Sequence, residues 1–314
     1  MTRPTLIRPV AITALVLCFI VVVLGAYVRL SAAGLGCPDW PGCYGHITPD
    51  GAVASIGEGS IDVGKAWKEM IHRYAAATLG LLITVITALA IQNRRSRPIS
   101  LPYAAGLLGL VATQGILGML TVTWQLKPAI VTAHLVLGLT TLSMLWWLVL
   151  TLGRRQSSAW RGSTAFLGSS LPRTRLLALL GLVVLALQMA LGGWTSSHYA
   201  ATACPDFPTC QGQWWPPMHG LVAIHFAHRL GALLATVMLL VAAVRVLRSR
   251  SDDFARRAAL AVLVALALQL LIGVSMVIRG FPLWLATAHN AGAALLLLAV
   301  VALNRSLRPA WKAN

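Results

Sequence analysis

Long apolar runs fill most of the chain, and short polar clusters separate them. Eight runs can be drawn, at roughly 9–30, 66–92, 101–122, 129–152, 174–196, 219–247, 256–278 and 283–304. Each reaches the ~20 residues that an α-helix needs to cross bilayer hydrocarbon. The pattern predicts an all-α polytopic membrane protein with eight transmembrane helices. The first run is longer than a signal-peptide core and is expected to remain as a helix.

The polar clusters repeat as well. Glu69-Met70-Ile71-His72-Arg73 and His225-Phe226-Ala227-His228-Arg229 each open an apolar run, and His134 and His289 each open a later one. His72 and His228 are 156 residues apart, His134 and His289 are 155 apart, and Gln114-xxx-Gly118 returns 155 residues on as Gln269-xxx-Gly273. A repeat containing an even number of helices enters the membrane twice from the same side. The expected architecture is therefore two tandem four-helix bundles related by a pseudo-twofold axis along the membrane normal. The expected domains are an N-terminal bundle over 1–153, a basic linker over 154–173 and a C-terminal bundle over 174–314.

Composition agrees with this and charge gives it a direction. Hydrophobic residues make up 58% of the 314, charged ones 11%, and the formal net charge is +17. Eighteen of the twenty-five Lys and Arg fall before the first run, after the second, between fourth and fifth, between sixth and seventh, or at the C-terminus. Six of the eight acids, Asp39, Asp50, Glu58, Asp62, Glu69 and Asp206, fall on the other side. Positive loops stay cytoplasmic, so both termini are expected on the cytoplasmic side, with the cysteine loops facing outward. The basic excess is topological, and no nucleic-acid partner is expected. Trp40, Trp67, Trp124, Trp194, Trp214, Trp215 and Trp284 gather toward the outer interface, as an aromatic belt does.

Histidines carry the chemistry. An ionisable residue inside an apolar span is costly and commonly functional. His72, His134, His228 and His289 lie within about two turns of the outer ends of alternate spans, so each half offers two imidazoles at similar depth. Facing imidazoles in a helix bundle suit the axial positions of haem iron. Zinc fits less well, since no carboxylate recurs in both halves to complete a ligand set. Arg29, Arg73, Arg229 and Arg279 lie near the same surface as candidate partners for haem propionates. Glu69 shares a helical face with His72, whereas the matching position before His228 is His225. Glu69 is read either as a carboxylate that exchanges protons or stabilises a developing cation, or as a helix-start acid beside Lys65 and Lys68. His225 is an orienting or propionate-binding candidate, and His46, His198 and His219 are expected to be solvated loop residues.

Cys18 stands alone in the first run as a packing residue. Cys37/Cys43 and Cys204/Cys210 form two C-P-D-aromatic-P-x-C loops, which on an oxidising side of the membrane suggest disulfides. Such rings act either as staples over a cofactor mouth or as reducible switches.

Gly25-Ala26-Tyr27-Val28-Arg29-Leu30, Gly34-Leu35-Gly36-Cys37-Pro38-Asp39-Trp40-Pro41 and Glu69-Met70-Ile71-His72-Arg73 together resemble the haem A synthase family, over nearly the whole chain. The resemblance implies an enzyme that oxidises the ring-position-8 methyl of haem O to the formyl group of haem A, for cytochrome c oxidase. It implies that His72 and His134 bracket substrate haem O with Glu69 as the catalytic carboxylate, and that His228 and His289 ligate a retained haem b. It implies disulfides Cys37–Cys43 and Cys204–Cys210. Haem O synthase, the oxidase assembly machinery and an unidentified electron donor are the implied functional partners, within the lipid bilayer. Two other readings use the same ligands: a non-enzymatic dihaem cytochrome b that carries electrons, and a haem transporter or chaperone.

Overall fold

The computed structural model describes residues 6–57, 59–93, 99–156, 171–249 and 251–308. Among the described residues the regular structure is helical, apart from two isolated bridges, and loops and turns join the helices. The long helices are α1 (Ile7–Leu30), α3 (Val63–Gln92), α4 (Leu101–Thr123), α5 (Pro128–Gln156), α6 (Leu171–Ser197), α7 (Gly220–Arg248), α8 (Asp253–Ile278) and α9 (Leu283–Ser306). All eight are long and apolar enough to cross a membrane, and each falls within a few residues of an expected run. Their outer faces carry largely exposed leucines such as Leu81, Leu187, Leu233 and Leu271. A surface of this kind is stable against lipid tails and would aggregate in water.

The sequence reading missed a short helix, α2 (Pro49–Ile56), and a 3-10 turn over Ala200–Ala203. The start of α2 has a local cause. The Thr48 hydroxyl accepts from Gly51 N at 3.3 Å, and Pro49 occupies the first turn, where its missing N–H costs nothing. Asp62 caps α3 through Lys65 N at 3.0 Å, and Asp252 caps α8 through Ala255 N at 2.7 Å.

The chain divides into two compact units, Met1–Leu145 and Trp146–Asn314. Most of the stretch expected as a linker, 154–173, lies outside the described residues. In unit 1, α3 packs on both α1 and α4, and α2 packs on α3. The Tyr103 hydroxyl of α4 donates to the Met144 carbonyl of α5 at 2.6 Å. In unit 2, α6, α7, α8 and α9 touch in succession and α9 returns to α6, closing a ring of four. Asn304, buried inside this ring, finds a backbone partner, as burial demands: its Nδ2 donates to Ala178 O at 3.0 Å.

Gly36 sets how closely the first cysteine loop approaches α3. A Cβ at this position would stand 2.6 Å from the Lys65 carbonyl carbon, a backbone atom with no rotamer to move. Gly36→Ala is expected to destabilise the protein by about 1–3 kcal/mol, as overpacking does, read as a lower Tm in detergent. The same substitution at Gly80, where a Cβ meets nothing within 4 Å, should leave Tm nearly unchanged.

Candidate functional site

Both cysteine pairs are disulfide-bonded, and the two rings share one design. In the first ring the Asp39 carboxylate accepts from Tyr44 N at 2.5 Å and Gly45 N at 2.8 Å. Asp206 does the same in the second, from Gln211 N at 2.6 Å and Gly212 N at 2.9 Å, and also accepts from the Thr209 hydroxyl. Beyond each ring the chain folds back with reciprocal backbone bonds, Cys43 with His46 and Cys210 with Gln213. The aspartate in the motif is thus a loop-closing acceptor.

The bond from the Thr209 hydroxyl, followed by those from the Gly212 and Gln211 amides, pulls the Asp206 carboxyl down to about 2. Its unfolded value is about 3.9. A depressed carboxylate stabilises the fold above its unfolded pKa, and that contribution is lost as pH falls through the folded one. Amide exchange at Gln211 and Gly212 should therefore stay slow, relative to the intrinsic rate, down to about pH 4. It should accelerate as the pH approaches 2, and Asp206→Asn should remove this pH dependence.

Each ring is tied to the helix behind it by an arginine. Arg73 Nη1 donates to Asp39 O at 2.9 Å and Gly42 O at 2.5 Å, while Nη2 meets Glu69 Oε1 at 2.5 Å. The other Glu69 oxygen accepts from Cys37 N at 3.0 Å. Arg229 donates to Cys204 O at 2.8 Å and Thr209 O at 2.7 Å. Glu69 is 4% exposed and His225, at the matching place, is 5% exposed. The lysines near Glu69 turn elsewhere: Lys65 pairs with Asp62 at 3.3 Å, and Lys68 lies 5.4 Å from the centre of the Tyr27 ring. Glu69 is therefore a buried carboxylate held from both sides, in the turn before His72.

All four span histidines sit against a glycine of the neighbouring helix. A Cβ on Gly25 (α1) would stand 2.8 Å from His72 Cε1, and one on Gly192 (α6) would stand 3.0 Å from His228 Cε1. The corresponding distances are 3.6 Å from Gly118 (α4) to His134 and 3.0 Å from Gly273 (α8) to His289. At Gly25, Gly192 and Gly273 a side chain would crowd the ring, whereas the Gly118 contact is an ordinary one. His72 lies within electrostatic reach of His134, and His228 within reach of His289. The two imidazoles of each unit therefore lie near one another.

Sequence reading missed what holds these rings from behind. Gln188 Nε2 lies 3.0 Å from His228 Nδ1 and donates to the His228 carbonyl at 2.8 Å. Gln269 Nε2 lies 3.2 Å from His289 Nδ1 and donates to its carbonyl at 3.1 Å. Gln114 Nε2 donates to the His134 carbonyl at 2.9 Å. The Nδ1 atoms of His72 and His134 are buried without a hydrogen-bond partner. The signal was visible in part, because Gln114 and Gln269 repeat. Gln188 has no echo in the first half, and so passed for one polar residue in an apolar run.

Each unit presents two imidazoles on glycine cradles, and among the described residues no three His, Cys, Asp or Glu converge on one point. Two imidazoles with no third converging ligand suit the axial positions of haem iron; a closed zinc site needs more ligands. The remaining sequence candidates lie around this centre. Arg29 closes the last turn of α1, and Arg279 is exposed at the C-cap of α8. His46 Nε2 bonds the Ser55 hydroxyl at 2.8 Å, His198 Nδ1 lies 3.0 Å from Trp194 O, and His219 is exposed.

The family model described as COX15-CtaA, cytochrome oxidase assembly protein, matches residues 8–301. The chain is 40% identical to a Heme A synthase of Shewanella oneidensis, across 92% of this chain and 93% of that protein. Proteins of the same name from Symbiobacterium thermophilum and Nitrosospira multiformis are 29% and 28% identical. Those matches cover 85% and 96% of this chain, and 84% and 94% of the relatives.

Proposed function

The chain belongs to the COX15-CtaA family of cytochrome oxidase assembly proteins, and from that membership and its relatives' shared name we propose that it is a haem A synthase. It converts haem O to haem A by oxidising the ring-position-8 methyl to a formyl group. The observation that carries this reading beyond family likeness is the asymmetry between the units. Both have a pair of imidazoles on glycine cradles, but only unit 1 has a carboxylate in the turn before its first histidine. One pair suits a substrate that is altered, and the other a group that is kept.

His72 and His134 bind substrate haem O, and His228 and His289 bind a retained haem b. Bound there, haem supplies iron that exchanges electrons. The rest is the work of the chain. The histidines fix the ring between helices, and lipid-covered helices keep bulk water away. Glu69, held by Arg73 and the Cys37 amide, is the carboxylate that would stabilise positive charge developing at the substrate methyl. Arg29 and Arg279 stand at the outer ends of α1 and α8, where propionates emerge. Arg73 and Arg229 lie beside them and spend most of their donors on loop carbonyls. His225 replaces the carboxylate in unit 2, so that unit lacks the negative charge and would hold the retained haem b, whose iron would exchange electrons with the protein's redox partner.

The protein spans the bacterial inner membrane with both termini cytoplasmic and the disulfide rings periplasmic. The eighteen basic residues counted on the other side support this orientation. Haem O synthase upstream and oxidase assembly downstream are its functional partners.

Haem extracted from the purified protein tests the proposal by mass and pyridine haemochrome spectrum. Haem O with formyl or hydroxylated forms, together with haem b, is the expected result. Haem b alone in both units would make the protein an electron carrier. His228→Ala and His289→Ala should remove haem b and leave the haem O type bound.

A further inference from the structure

The cradle glycines share a register that one helix breaks. Gln114 precedes Gly118, Gln188 precedes Gly192, and Gln269 precedes Gly273, each by four residues. Carboxamide and glycine therefore lie on one stripe of the helix, and both meet the same histidine on the neighbouring helix. The fourth stripe, on α1, carries Val21 four residues before Gly25. Valine has no polar atom to offer.

The four histidines are consequently held to different degrees. Those of unit 2 are met at both ring and backbone by Gln188 and Gln269. His134 is met at its backbone by Gln114. His72 has the glycine contact alone, and its Nδ1 is buried without a hydrogen-bond partner. A steric contact stops a ring from approaching further and does not stop it from turning away. A hydrogen bond to the second ring nitrogen does both: it fixes tautomer and orientation, and it raises ligand basicity. The glutamine can serve the tautomer that ligation requires. Its Oε1 is buried and unpartnered at both Gln188 and Gln269; a half-turn of the carboxamide lets that oxygen accept from Nδ1–H, and the bond to the histidine carbonyl is given up in exchange.

We infer that Gln188 and Gln269 are positioning residues that lock the rings of His228 and His289 in place, and that unit 1, where neither the His72 nor the His134 ring has a side-chain hydrogen bond, is the unit whose imidazoles can swing off iron, with His72, opposite Val21, lacking even the backbone bond that His134 receives. Unit 1 is then the unit that opens an axial position, and the choice is built into the supporting stripe, since the ligands themselves are alike. The inference rests on the haem reading above.

Carbon monoxide is the probe, because it binds ferrous haem only where an axial position opens. It is titrated into dithionite-reduced, haem-loaded, full-length protein in detergent. In the unmodified protein the Soret shift is expected in the haem O-type fraction and not in haem b. Val21→Gln should lower carbon monoxide affinity about fivefold, the worth of one net hydrogen bond. Gln188→Val should make haem b reactive. The inference is overturned by Val21→Gln with unchanged affinity, by Gln188→Val without reactive haem b, or by an unmodified protein in which haem b is the reactive one. Should Val21→Gln fail to load haem, Gln188→Val decides alone. Failure of the haem reading looks different: His72→Ala and His228→Ala would then both leave the low-spin spectrum unchanged.

Discussion

Glu69→Gln is expected to yield a protein that keeps both haems and makes about a hundredfold less formyl product, the usual loss when one preorganised charge leaves a reaction site. Glutamine keeps the length and one carbonyl oxygen, so either Arg73 or the Cys37 amide still has an acceptor. What disappears is the negative charge, on a side chain only 4% exposed. Glu69→Ala is the harsher change. It leaves the partly buried Arg73 with its loop carbonyls and no counter-charge, and breaking a buried pair costs about 3–5 kcal/mol. The two variants separate chemistry from architecture. If Glu69 only ties the disulfide ring to α3, product should fall in step with Tm, and Glu69→Gln should recover activity on cooling. Product lost while Tm and haem content hold would place the carboxylate in the reaction.

Gly25→Val should remove substrate from unit 1 and spare unit 2. Its Cβ would arrive 2.8 Å from His72 Cε1, and the branched methyls leave no rotamer that clears the ring. The imidazole must turn away, and overpacking of this kind costs about 1–3 kcal/mol, which a membrane-spanning helix survives. Haem O-type content is expected to fall at least about tenfold, equivalent to ~1.4 kcal/mol of binding, with haem b retained. Loss of haem b instead would assign the two haems to the opposite units.

The long helices were legible because hydrocarbon thickness imposes a single length rule on them, and all eight runs became helices. Helix α2 was not legible, since eight residues with a threonine cap and a leading proline make no apolar run. The four histidines stood out as polar residues in apolar surroundings, and their duplication gave the pairing before any distance was known. Their supports were harder to see. Gln188 is matched in the repeat by Val21, so comparing the halves discards the position that distinguishes them. Sequence offered Arg73 as a propionate candidate and gave no sign of the loop carbonyls that it holds. Its partners, the carbonyls of Asp39 and Gly42, lie 34 and 31 residues upstream, and backbone carbonyls carry no sequence signature.

The arginine grip on those carbonyls binds the fate of two distant stretches of chain. Carbonyls exist whatever the side chains, so residues 39–43 can drift in identity while their backbone path is preserved. The guanidinium at 73 has no such latitude, because lysine cannot reach several carbonyls and Glu69 at once. Across lineages, change at 73 should appear together with altered loop length between the cysteines, whereas change within the loop at fixed length should leave 73 alone. The same inheritance rule should hold independently for Arg229 and the ring at 204–210.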